Sequence, residues 1–200
     1  MEQYLYRTYL IGAMEKTAEH DDGSEKRISV EKELLLRNVY PINPVRLEVT
    51  KTGMTTEEIK EKMIGWISGG CWDLFNKKAK EIWQGVDKID SKTGIIHIPG
   101  DIEYCLMSNW ITFTFNKGDI CCGSFAESGI AMEHKIPIYL ITNMPKKDLP
   151  KSLLQIITVS GGQEFNSLHD YLKFLDSHYK LHRHEEQHPK EGKADETHIL

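Results

Sequence analysis

The chain has 200 residues, of which 40% are hydrophobic, 28% charged and 9% aromatic, with 15 glycines and seven prolines. That composition belongs to a soluble globular domain and excludes collagen-like, mucin-like and wholly disordered chains. Twenty-five Lys and Arg against 30 Asp and Glu leave a formal charge of −5, which repels polymeric nucleic acid and anionic membrane unless a basic patch overrides it, and no such patch stands out. No apolar run approaches the roughly 18 residues needed to span a bilayer. Residues 1–7 place an acid and an arginine among tyrosines, which is no secretory leader, so a cytoplasmic protein is expected. Cys71, Cys105, Cys121 and Cys122 form neither a disulfide framework nor a metal knuckle and are read as reduced thiols.

Residues 4–11, rich in Tyr, Leu and Ile and closed by Gly12, predict a first strand. A polar, acidic loop follows. Helical spacing then places Ile28, Leu34, Leu35 and Val39 on one side, with Asp22 and Glu25 as a capping box. Residues 39–43 read as a short strand limited by Pro41 and Pro44. Thr55 and Glu58 offer a second capping box before a helix carrying Ile59, Met63, Trp66 and Ile67, which Gly69 and Gly70 end. Trp72, Phe75, Ala79, Ile82 and Trp83 recur at helical intervals, and these tryptophans are read as packing residues.

Residues 94–99 are extended, 101–107 form one or two helical turns, and 110–115 form an aromatic, β-branched strand. A turn at 118–123 leads into a helix from Ser124 to about His134. Residues 136–141 and 156–159 are the remaining strands, and a last helix carries Leu168, Tyr171, Leu172, Leu175 and Tyr179. Alternation of strands and helices predicts an α/β fold with a single doubly wound, mostly parallel five-stranded sheet flanked by helices, of the flavodoxin or Rossmann-like kind. The domain spans 1–182, with 51–89 as a helical insertion. Residues 183–200 lack hydrophobic periodicity and read as a disordered, His-rich polar tail. His182, His184 and His188 make a poor metal site without a carboxylate or thiol held by a fold, so neither a metal nor a cofactor is expected.

Ligands of open α/β sheets bind beyond the carboxyl ends of the strands, which directs attention to the loops after Ile11 and Phe115. The second delivers Gly123, Ser124 and Glu127 to a helix start, and two readings of it stand. In one, Ser124 and Glu127 are a capping box and nothing more. In the other, Glu127 is a carboxylate kept ionised by the helix dipole and backbone amides, able to attack a sugar anomeric carbon as in retaining glycosidases. A leaving nucleobase then needs a proton or hydrogen-bond partner, for which Asp101 is the nearest candidate. A third option is thiol chemistry at Cys121 or Cys122, because a cysteine before a helix N-terminus can have a lowered pKa.

Three segments occur in a telling order: Tyr9-Leu-Ile-Gly-Ala-Met14, Asp101 eight residues before Asn109, and Gly123-Ser-Phe-Ala-Glu-Ser-Gly-Ile-Ala131 followed by Ile136-Pro-Ile-Tyr-Leu140. Together, over residues 4 to about 142, they resemble the nucleoside 2-deoxyribosyltransferase superfamily. The resemblance implies that Glu127 is the nucleophile and that Asp101 contacts the nucleobase. It also implies that Gly12, Ala13 and Met14 receive sugar and base, and that Gly123 and Ser124 present the nucleophile. Asp21-Asp22-Gly23 with Arg27 resembles a D-x-G and downstream Arg of phage and bacterial relatives, which adds Asp22 to the binding residues. The family's habits imply a homo-oligomer and a small-molecule nucleoside or nucleotide as partner. Two positions depart from the pattern: Cys121 and Cys122 stand where transferases carry an acid, and Asn109 where an Asp is common. Transfer of the sugar, hydrolysis of a deoxynucleoside 5′-monophosphate, non-catalytic nucleotide binding and a purely structural role are therefore all carried forward.

Overall fold

The computed structural model describes residues 4–12, 24–90, 92–119 and 121–184. Tyr6–Gly12 (β1), Val39–Ile42 (β2), Trp110–Thr114 (β5), Ile138–Ile141 (β6) and Gln163–Phe165 (β7) form one sheet in the order β2-β1-β5-β6-β7. All four pairings are parallel. Helices cover both faces, which is why Tyr9, Leu10 and Ile11 of β1 are all buried and the strand reads as continuously apolar. Pro41 sits in β2, an edge strand paired only with β1, where its missing amide costs little.

On one face, Ser24–Leu35 (α1) and Leu168–His178 (α8) pack through Val30, Leu34, Tyr171, Leu172 and Leu175 against Leu10, Trp110, Tyr139 and Phe165. On the other face lie Asp101–Leu106 (α5), Cys122–Glu133 (α6) and Lys151–Val159 (α7). They contribute Cys105, Ala131, Leu153 and Ile157 to a core with Tyr9, Ile11, Ile111, Phe113 and Leu140. The chain steps from β1 out to β2 and returns on the other side of β1 as β5. The carboxyl ends of β1 and β5, where Gly12 pairs with Thr114, are therefore the topological switch point at which such sheets bind ligands.

Pro44–Thr52 (α2), Thr56–Ser68 (α3), Trp72–Gln84 (α4) and the antiparallel hairpin Val86–Asp90 (β3) with Gly94–Ile98 (β4) occupy the excursion between β2 and α5. The Thr55–Glu58 capping box forms with both of its hydrogen bonds, and Gly69 and Gly70 separate α3 from α4 as expected. The expected packing role of the tryptophans holds only in part, because Trp66 and Trp83 are half-buried whereas Trp72 is exposed.

Several expectations are corrected. Residues 156–159, read as a strand from their β-branched content, are the end of α7, where Leu153 and Ile157 at helical spacing face the core; the last strand is β7. Ile28 and Leu35 of α1 face solvent, because Val30 and Leu34 set its buried stripe and Val39 already belongs to β2. The capping box at Asp22 and Glu25 lies outside what is described, as does the stretch 185–200 of the His-rich tail. Sequence periodicity missed α2, which starts at Pro44, a residue suited to a helix's first position, and missed β3.

Candidate active site

The helix that carries Glu127 begins earlier than its sequence indicates. Cys121 is its N-cap and Cys122 its first residue, so Glu127 is the sixth residue, past the turn where a side chain can cap free amides or feel most of the dipole. The Ser124–Glu127 capping box does not form. Instead Ser124, Glu127, Ser128 and Ala131, spaced i, i+3, i+4 and i+7, make a buried face. A carboxylate and two hydroxyls thus enter the interior at the switch point.

Each polar group on that face has a partner. Tyr9, from β1, donates its hydroxyl to Glu127 Oε1 at 2.8 Å. Ser124 Oγ accepts from the Gly12 amide and donates to the Gly12 carbonyl, both at 3.0 Å, and Ser128 Oγ donates to the Ser124 carbonyl at 2.7 Å. The Gly12 carbonyl also accepts a 2.7 Å hydrogen bond from Arg27, a buried residue of α1. Gly12 is required here by close approach: a Cβ on it would lie 2.7 Å from the Thr114 carbonyl oxygen. Ser124 and Arg27 together pin the end of β1 to α6 and α1.

Asp101 is the first residue of α5 and is buried. Its Oδ1 accepts from the ammonium of Lys51, in α2, at 2.5 Å. Lys51 has no solvent exposure, also donates to the Ile82 carbonyl at 3.3 Å, and lies 5.4 Å from the centre of the Tyr104 ring. In that pair the Asp101 carboxylate is a hydrogen-bond acceptor.

The electrostatics follow from this crowding. Burial, and then the negative charge of Asp101, push the Glu127 carboxyl up to about 7, while the Tyr9 hydrogen bond and the charges of Arg27 and Lys51 act in the opposite sense. The expectation of a carboxylate kept fully ionised by the helix dipole is therefore corrected: Glu127 sits near its midpoint at neutral pH. Burial first, and Glu127 second, drive the Tyr9 hydroxyl well up, so it remains a donor. The thiol option loses ground at Cys121, whose pKa is pushed up to about 12 by burial and by Asp119. Cys105, packed near both carboxylates, is also raised by burial. All four cysteines are free thiols, Cys71 and Cys122 exposed and Cys105 and Cys121 buried.

Glu127, Asp101, Gly12 and Ser124, expected from the sequence, converge on the switch point. Gly123 lies in the first turn of α6 and is exposed; Ala13, Met14 and Asp22 fall outside the described residues. Asn109 immediately precedes β5 and bridges to β1, its side-chain oxygen accepting from the Arg7 amide at 2.8 Å, which clamps the amino ends of these two inner strands. Sequence reading missed Lys51 and the role of Tyr9. Tyr9 carried a signal, since alternation along β1 puts it on the face of Ile11 toward α5 and α6. Lys51 carried none. Among the described residues no group of three or more His, Cys, Asp or Glu side chains is placed to hold a metal, and no helix is long and apolar enough to cross a membrane.

Neither a protein-family model nor a curated protein matches the sequence. Among solved structures, the CMP N-glycosidase BcmB of Clostridium botulinum overlays with a TM-score of 0.41 and 14% identity, over 86% of this chain and 98% of that one. At that score and identity, substrate and mechanism have to be argued from this chain's own residues.

Proposed function

We propose that the protein cleaves the N-glycosidic bond of a nucleoside or nucleotide, with Glu127 as nucleophile. The observation that carries this reading is the buried Glu127 carboxyl, near its midpoint at neutral pH, oriented by Tyr9 beside the Asp101 carboxylate at the switch point of the sheet.

In the first half-reaction a Glu127 oxygen bonds to the anomeric carbon as the bond from that carbon to the base nitrogen breaks, and the electron pair leaves with the base. Tyr9 holds the other end of the reaction in register by fixing the carboxylate. Asp101, an acceptor in its pair with Lys51, takes a hydrogen bond from the base in this reading. In the second half-reaction water, or a nitrogen of another base, bonds to the anomeric carbon and the ester to Glu127 breaks. The departing base takes its proton from solvent in the first half-reaction and the acceptor gives one back to solvent in the second, so that Glu127 returns as the carboxylate. Water as acceptor makes the protein a hydrolase of deoxynucleosides or their 5′-monophosphates, and a base makes it a deoxyribosyltransferase.

The test is release or exchange of base from deoxynucleosides and deoxynucleoside monophosphates, with and without free acceptor bases, followed by chromatography. Wild type is expected to turn over one of these classes, and Glu127→Ala to lose at least a thousandfold in rate. Equal inactivity of both proteins on every substrate would overturn the enzyme reading. A second reading, nucleotide binding without turnover, is favoured by the clamp role of Asn109 and by Cys121 and Cys122 in place of an acid. It predicts thermal stabilisation by a nucleotide that is recovered intact.

A further inference from the structure

We propose that Lys51 is a positioning residue for this site: its buried ammonium holds the Asp101 carboxylate against the end of α4, beside Glu127. The inference rests on the N-glycosidic reading, to which it adds a residue from the excursion between β2 and α5.

A lysine ammonium with no solvent exposure persists only when its charge is paired and its protons are bonded. Lys51 pairs its charge with Asp101 Oδ1 at the start of α5, gives a second proton to the Ile82 carbonyl in α4, and has the Tyr104 ring 5.4 Å away. The start of α5 packs backbone to backbone on the end of α4. A Cβ on Gly100, immediately before Asp101, would lie 2.4 Å from the Trp83 carbonyl oxygen and 2.3 Å from the Gly85 nitrogen. Backbone contact and ammonium together set where the Asp101 charge stands.

The charged and titratable groups facing Glu127 come from four other elements, Tyr9 of β1, Arg27 of α1, Lys51 of α2, and Asp101 with Cys105 of α5, and from Cys121, the N-cap of its own helix. Asp101 opposes ionisation of Glu127, and Lys51 favours it. Among the described residues Lys51 is the cation paired with Asp101, so its loss leaves that carboxylate buried beside Glu127 without its countercharge, while Arg27 and the Tyr9 hydroxyl still favour the Glu127 anion.

The test reads the ionisation of Glu127 directly, by carbon-13 NMR of protein labelled at the glutamate carboxyls, with the resonance assigned by its absence in Glu127→Gln. Lys51→Met is expected to move the Glu127 midpoint upward by about one pH unit, the scale of a nearby opposite charge. Lys51→Arg should restore most of the wild-type position. Asp101→Asn should move it downward, and Lys51→Met added to Asp101→Asn should bring it back up. If Lys51→Met alone does not fold, the wild-type protein carries the test: nitrogen-15 NMR of labelled lysine should show the Lys51 ammonium responding to the Glu127 titration and losing that step in Glu127→Gln. A folded Lys51→Met protein whose Glu127 midpoint is unmoved, or a Lys51 resonance blind to the Glu127 titration, would overturn the proposal. This readout needs no substrate, so its failure is distinct from a failure of wild type to release base. With turnover in hand, the acidic limb of kcat/KM should shift upward by the same amount in Lys51→Met.

Discussion

Tyr9 and Glu127 lie 118 positions apart in sequence, yet the tyrosine hydroxyl reaches the carboxylate at 2.8 Å from the neighbouring strand. The bond joins the first strand of the sheet to the helix that follows β5, and it is the contact that turns a buried glutamate into an oriented one. Burial favours the neutral acid, and the tyrosine proton favours the anion.

Tyr9→Phe removes that proton donor with little change in volume. The Glu127 midpoint should rise above its wild-type position near 7, because burial and Asp101 continue to oppose charge. Loss of one buried hydrogen bond that leaves a carboxyl oxygen unsatisfied is expected to cost about 1–3 kcal/mol of stability. Turnover at pH 7 should fall by about tenfold or more and recover in part at pH 8.5. A pH profile that superimposes on wild type would show that Tyr9 does not act on Glu127.

Glu127→Gln should stabilise the fold at alkaline pH. In the unfolded chain the carboxyl has its ordinary value near 4.5, and in the folded protein about 7. Between those values the folded state holds a proton that the unfolded state has lost, so wild-type stability falls as pH rises through this window and stays lower above it. The difference is on the order of 3 kcal/mol at pH 8 and small at pH 4. Denaturant melts of the two proteins at pH 4.5, 6 and 8 measure it. A constant gap across pH would show that Glu127 is not raised by burial.

His97 ties the hairpin to the start of α5. Its Nδ1 is 2.7 Å from Asp87 Oδ1 and its Nε2 is 2.9 Å from Glu103 Oε1, and Glu103 also accepts from the Gly100 amide at 3.3 Å. Bonding to Glu103 first, and to Asp87 second, raises the His97 pKa. The added stability is therefore fully present below the ordinary histidine value and is lost as pH rises through the folded-state value. Amide exchange in β3 and β4, corrected for the intrinsic base dependence, should quicken on that rise and be fast at all pH in His97→Gln. Equal protection in both proteins at pH 5.5 would remove this role.

The alternation of strands and helices was legible in the sequence, because it depends on local periodicity and on topology rules that allow few arrangements, whereas Glu127 and Asp101 were singled out by the order of motifs in the family resemblance. What Glu127 does was not legible. The same spacing fits a capping box, but the true start of α6 at Cys122, two residues before Ser124, takes Glu127 out of the capping turn, and the packing of that helix face on β1 turns the carboxylate inward. Ser124 likewise reads as a cap or a ligand group, and the structure has it clasping both backbone groups of Gly12.

The alternation of strand and helix patterns determined that these 200 residues form an α/β protein with a carboxylate-bearing helix after a central strand. The tertiary structure decided the state of that carboxylate. Its ionisation depends on burial and on Tyr9, Arg27, Lys51 and Asp101, which come from four separate elements. Charge interactions in a desolvated interior act over a few ångströms of space and take no account of sequence distance, so a lysine with no motif around it becomes part of the site.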